Sequence, residues 1–184
     1  MKKDLLNKKE IYYGSINMPK YFEINRYELK SDILISFIEK KTISKDTFKY
    51  ECLDYVVNHS KTHQTLINYM IEHLYLKYKL NLINVLSFAN VLDKNEQSFS
   101  RKIKNSKYKL DKSNYVMVYG IDVNDDCSIV FEDENYSNNQ ELHHFNINNN
   151  EFILFKSTER FFISKNISNK KNIFLIINLV DTLY

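Results

Sequence analysis

The stretch from Ser113 to Leu183 constrains the fold most, because it breaks into six short segments of β-strand character separated by polar turns. The segments are Ser113–Val123, Cys127–Asp133, Leu142–Ile147, Glu151–Phe155, Arg160–Ser164 and Asn172–Val180. They draw on Val, Ile, Phe and Tyr, residues that suit a pleated, half-buried surface, while Asn, Asp, Ser and Lys fill the breaks. Upstream, Leu82–Leu92 has the same apolar, β-branched character and predicts the first long strand of the main sheet, ended by a turn at Asp93–Glu96. With two Gly and one Pro in the chain, turns that need positive φ fall to Asn and Asp, as at Asn124-Asp125-Asp126 and Asn148-Asn149-Asn150. A Gly-rich phosphate cradle is excluded, since Gly14 and Gly120 stand alone.

The period changes towards the N-terminus. Residues 11 to 25 read as an extended edge strand or lead-in broken at Pro19. From Glu28 to Lys41, Leu29, Ile33, Leu34, Phe37 and Ile38 follow helical spacing. Phe48, Cys52, Leu53, Tyr55, Val56 and Val57 suggest a second helix, capped by Ser44 or Asp46. A third, from about Thr62 to Lys79, places Leu66, Ile67, Met70, Ile71, Leu74 and Tyr78 on one stripe. Helices first and strands afterwards make an α+β chain whose sheets close into a sandwich or barrel.

At 184 residues the expectation is a single domain, 1–184, with 1–81 as extended lead-in and helical buttress and 82–184 as β-barrel core. A hydrophobic share of 43% fits a packed interior, so disorder is not expected beyond the first few residues. The net charge of +3 is spread along the chain, and nucleic acid is not expected as a partner; the one basic cluster, Arg101–Lys109, reads as a solvated loop. Cys52 and Cys127 have neither disulfide-framework nor zinc-site spacing, which fits a reducing compartment. The N-terminus has no apolar leader core, and no apolar run is long enough to span a bilayer, so a cytoplasmic protein is expected.

Few side chains are arranged for chemistry. His59 and His63 are four apart, but the helix is expected to break near Asn58–Ser60 and no carboxylate recurs at ligand spacing, so cap or surface roles are expected. His73 reads as a partly buried helix residue with a hydrogen-bond partner. Ser157 has no histidine–acid partners in the pattern of a hydrolase triad, and Glu132 with Glu134 reads as a solvated turn. His143 and His144 are neighbours on a strand, so at most one faces the interior; with Glu141 and Asp133 nearby they are the alternative metal ligands.

Several passages together look familiar: Ser87-Phe88-Ala89-Asn90-Val91, then Tyr115–Gly120 and Ser128–Asp133, then Asn150–Asn166, and the closing strand Asn172–Leu179. In rhythm and order this span, residues 82 to 180, resembles the iron(II)/2-oxoglutarate-dependent oxygenases, whose core is a double-stranded β-helix. The resemblance implies N-terminal helices packed on a C-terminal jelly-roll, cupin-like barrel. It also implies Fe(II) and 2-oxoglutarate as cofactors, with two imidazoles and one carboxylate on the metal and an arginine for the cosubstrate.

At those positions the sequence departs from the family. Arg101 and Ile103 stand where the first ligand pair falls, and no histidine occurs between His73 and His143. Phe161 stands at the distal histidine, and Asn172, with Lys170 and Lys171 beside it, at the cosubstrate's arginine. Apolar side chains fill space and a guanidinium repels a cation, so neither metal nor cosubstrate is expected. The reading is a non-catalytic partner subunit or ligand-binding module, with an active homologue or a second copy of the chain as protein partner. The alternative is an active oxygenase, or another metal enzyme, with displaced ligands such as His143 or His144.

Overall fold

The structure, a computed structural model, describes residues 2–6, 9–15, 23, 26–35, 60–98, 114–124, 126–134 and 140–182. In chain order these form β1 (Lys2–Leu6), β2 (Lys9–Ser15), helix α1 (residues 26–35), helix α2 (Lys61–Tyr78), β3 (Leu82–Leu92), β4 (Tyr115–Asp122), β5 (Ser128–Glu134), β6 (Gln140–Asn146), β7 (Glu151–Lys156), β8 (Arg160–Ile163) and β9 (Asn172–Asp181). A six-stranded sheet of order β1-β2-β7-β4-β9-β3 faces a three-stranded sheet of order β6-β5-β8. All pairings are antiparallel. From β4 onwards the chain passes back and forth between the sheets, the jelly-roll arrangement expected.

The central strands of the large sheet carry near-continuous apolar runs, Tyr115–Tyr119 on β4 and Ile173–Ile177 on β9, because both faces are covered. On β4, Tyr115, Met117, Tyr119 and Ile121 point to one core, and Val116 and Val118 to the other. On β9 the alternation is the same: Ile173, Leu175, Ile177 and Leu179 against Phe174 and Ile176. The outer core is completed by the helices, through Leu29 and Ile33 of α1 and Leu66, Ile67, Met70 and Leu74 of α2. The inner core lies between the sheets, where Ile129, Phe131, Phe161 and Ile163 of the small sheet meet Ile153 and Phe155 of β7. Each fully buried side chain of this size contributes about 1.5–3 kcal/mol relative to exposure.

The large sheet begins earlier in the chain than residue 82. β1 is a strand from Lys2, and β2 pairs with β7 in the register Tyr12–Leu154, so the lead-in is an integral part of the sheet. Helix α2 starts one residue before the expected bound, with Ser60 as its N-cap. The expected second helix and residues 36–41 of the first lie outside the described residues. Asn95 and Asn150 take the positive φ expected of turn asparagines, whereas Asn124 does not. Lys79 does, as the left-handed C-cap whose N–H donates to the Tyr75 carbonyl. Glu132 is a correction as well: it lies on β5, not in a turn, and pairs with Arg160 at 3.7 Å on β8.

Gly120 shows how closely the turn after β6 packs on β4. A Cβ there runs into the Asn148 carbonyl oxygen, while the Gly120 carbonyl accepts from the Asn150 N–H at 3.0 Å. Backbone cannot yield as a flexible side chain does. Gly120→Ala is expected to cost about 2 kcal/mol, or about 4–8 °C in Tm, read by thermal unfolding.

Candidate functional site

The interior between the sheets holds a chain of aromatic rings. Phe161 alternates with the half-exposed Arg160 and Phe162, so β8 turns it inward, opposite Phe131 of β5. Its ring meets Phe155 edge-to-face at 4.9 Å, and Phe155 meets Phe131 at 4.8 Å. Phe131 meets Phe145 at 5.6 Å, and Phe145 meets Tyr13 of β2 at 5.9 Å. The series crosses from β8 to β2, each contact in the geometry that places a ring edge on a ring face. Phe161 is 1% exposed.

At the start of β9, Asn172 is fully buried, and its side-chain oxygen accepts from the backbone N–H of Asn124 at 2.9 Å and from the Asn124 amide. Asn166 beside it donates to the carbonyls of Leu92 at 3.0 Å and Lys170 at 2.7 Å. This asparagine cluster ties the loops after β4 and β8 together. The Lys171 ammonium is paired with Asp93, and the Lys170 side chain is exposed. None of these groups is arranged as an open fork for a carboxylate.

The histidines are dispersed. His143 pairs across from Phe131 and is half-buried, on the inward face of β6. His144 is exposed, with its Nδ1 3.2 Å from the Ser128 hydroxyl. Asp133 and Glu141 are backbone neighbours across β5 and β6. His73 stacks on Tyr69 at 6.3 Å, a ring contact in place of the expected hydrogen bond. His63 is a correction: it is 1% exposed on the buried stripe of α2, not a surface or cap side chain. Burial pushes its imidazole down to about 4, because the charged form loses its water. Arg101, Ile103 and His59 lie outside the described residues.

Solved structures share this architecture. AviO1 from Streptomyces viridochromogenes Tue57 matches 94% of this chain and 90% of its own, with a TM-score of 0.67 and 5% identity. SnoK, a non-heme alpha ketoglutarate dependent carbocyclase from nogalamycin biosynthesis, matches 96% of this chain and 81% of its own, with a TM-score of 0.64 and 8% identity. HygX from Streptomyces hygroscopicus, solved with nickel and 2-oxoglutarate bound, matches 97% of this chain and 85% of its own, with a TM-score of 0.57 and 9% identity. No protein-family model matches the sequence, and no curated protein does. The chain has the fold of the 2-oxoglutarate-dependent oxygenases.

The resemblance sets Phe161 against the distal imidazole; the structure shows it buried in the aromatic series, and a phenyl ring has no lone pair to offer a metal. Among the described residues no three His, Cys, Asp or Glu side chains gather as a metal-holding group. The described side chains therefore do not fit the two-imidazole, one-carboxylate set. Two polar groups of the interior escaped the sequence reading. Asn90 lies opposite Phe174 and Asn178 opposite Val116, which places both on the inward face of the large sheet. Both amide atoms of Asn90 and the side-chain oxygen of Asn178 are buried without a hydrogen-bond partner among the described residues. Each asparagine is visible in the sequence as a polar interruption, but only the strand register tells which way it faces.

Proposed function

We propose that this chain is a non-catalytic member of the oxygenase fold, working as the partner subunit of an active enzyme or as a ligand-binding module. The observation that carries the reading is the burial of Phe161 in a continuous aromatic series, at the position to which the sequence resemblance assigns an imidazole ligand. A fold outlives its chemistry when packing side chains replace ligands, because function resides in the site and not in the architecture. The protein partner is an active homologue or a second copy of the chain, and Asn90 and Asn178 are the interior amides that a small ligand would meet. In this reading the protein is cytoplasmic and takes no part at nucleic acid. No described helix is long and apolar enough to cross a membrane.

The test is elemental analysis and turnover on the purified full chain. Iron well below one equivalent after anaerobic loading, with no 2-oxoglutarate consumed by the chain alone, is the expected result. Stoichiometric iron with 2-oxoglutarate turnover favours the second reading, an active oxygenase with displaced ligands. That reading draws support from SnoK, which depends on alpha ketoglutarate, and from HygX, which binds nickel and 2-oxoglutarate. In it His143 or His144 holds the metal, and His144→Ala abolishes the turnover.

A further inference from the structure

Helix α1 lays Leu29 and Ile33 on the outer face of the large sheet, and three residues before Leu29 the same helical face carries Arg26 to the end of β4. Arg26 is 8% exposed. Its Nη1 donates to the Ile121 carbonyl at 2.6 Å, the guanidinium carbon stands 4.9 Å from the centre of the Tyr27 ring, and Nε is buried with no hydrogen-bond partner among the described residues. No carboxylate among the described residues pairs with it; Asp122, next along β4 from Ile121, is engaged by Lys30 at 2.6 Å. The buried Tyr119 donates its hydroxyl to Asn150 at 2.8 Å; burial pushes its phenol up, and the Arg26 charge draws it back part of the way.

A guanidinium taken out of water costs several kcal/mol unless charge and hydrogen bonds are returned to it. Among the described residues one carbonyl and one ring face meet it, and its buried Nε is left without an acceptor. The planar fork of an arginine matches the paired oxygens of a carboxylate or phosphate, which supplies both the missing charge and acceptors for several donors at once. We propose that Arg26 is a binding site for a small oxyanion, a carboxylate or a phosphate, docked where helix α1 meets the end of β4. This site lies on the helix-covered face of the large sheet, apart from the aromatic interior, and does not depend on whether that interior holds a metal.

The chain has three arginines, Arg26, Arg101 and Arg160, so their Nε–H groups are separable by NMR. Titration of the full chain with sodium phosphate, and separately with sodium succinate, is compared with sodium chloride at matched ionic strength. One Nε–H resonance is expected to move saturably with phosphate or succinate and to persist unchanged in R101K and R160K. The Tm of the wild type is expected to rise by several degrees with the same anion, and that of R26Q to stay flat. Response to phosphate alone or to succinate alone tells which oxyanion is preferred. Absence of any saturable shift, loss of the moving resonance in R101K or R160K, or an equal Tm rise in R26Q overturns the proposal. The resonance assignment stands even if R26Q does not fold.

Discussion

Replacing Phe161 by alanine is expected to lower the unfolding free energy by about 3–5 kcal/mol, measured by urea denaturation with an unchanged m-value. The ring is 1% exposed and wedged between Phe155, at 4.9 Å, and the strand bearing Phe131. Truncation removes its transfer energy and leaves a void that two β-sheets cannot close without shifting register. Phe161→Leu is expected to cost less than about 1.5 kcal/mol, because volume is nearly conserved. A double-mutant cycle with Phe155→Ala should return a coupling of about 0.5–1.5 kcal/mol for the edge-to-face contact. Were Phe161 a pocket-lining side chain with space in front of it, alanine would cost under about 1 kcal/mol. Phe161→His restores an imidazole at the position but sets a polar ring among phenyl groups. It is expected to destabilise without raising iron uptake.

The same residue shows how far the sequence carries. The strand over Arg160–Ile163 is legible from its apolar content, and alternation puts Phe161 and Ile163 on one face. That this face is inward follows only once β8 is paired with β5. The unbroken run Ile173–Ile177 reads as one strand too, and its lack of alternation reports burial on both faces, one by helices and one by the second sheet. Less legible is β1, because Lys2, Lys3 and Asp4 argue for solvent and only pairing with β2 makes them a strand. Asn90, Arg26 and His63 escape for a shared reason. Polarity in a sequence argues for exposure, and it takes three-dimensional placement to overrule that argument. For His63 a signal was present: 63, 66, 67, 70 and 74 are one helical stripe, and the imidazole occupies its first position.

That placement makes His63 a source of acid lability. Both ring nitrogens are buried without a hydrogen-bond partner among the described residues, and burial holds the imidazole down at about 4 against an ordinary 6.5. Above pH 6.5 the folded and unfolded chains both carry a neutral ring, and stability is undiminished by this group. As the pH falls below 6.5 the unfolded chain takes up a proton that the folded chain refuses, so stability declines until about pH 4, where the folded ring also titrates. The full loss is about 3 kcal/mol, of which about 1.4 kcal/mol is gone by pH 5.5. Other groups titrate in the same window, so the quantity to measure is a difference between wild type and His63→Leu, from denaturant unfolding at pH 7.5, 5.5 and 4. At pH 7.5 the leucine variant is expected to be more stable by about 1–2 kcal/mol, since an unsatisfied polar ring is exchanged for an apolar side chain beside Leu66 and Ile67. The gap should widen as the pH falls and then level off. A gap independent of pH would mean that the imidazole is hydrated or paired, and that α2 does not seal it against the sheet.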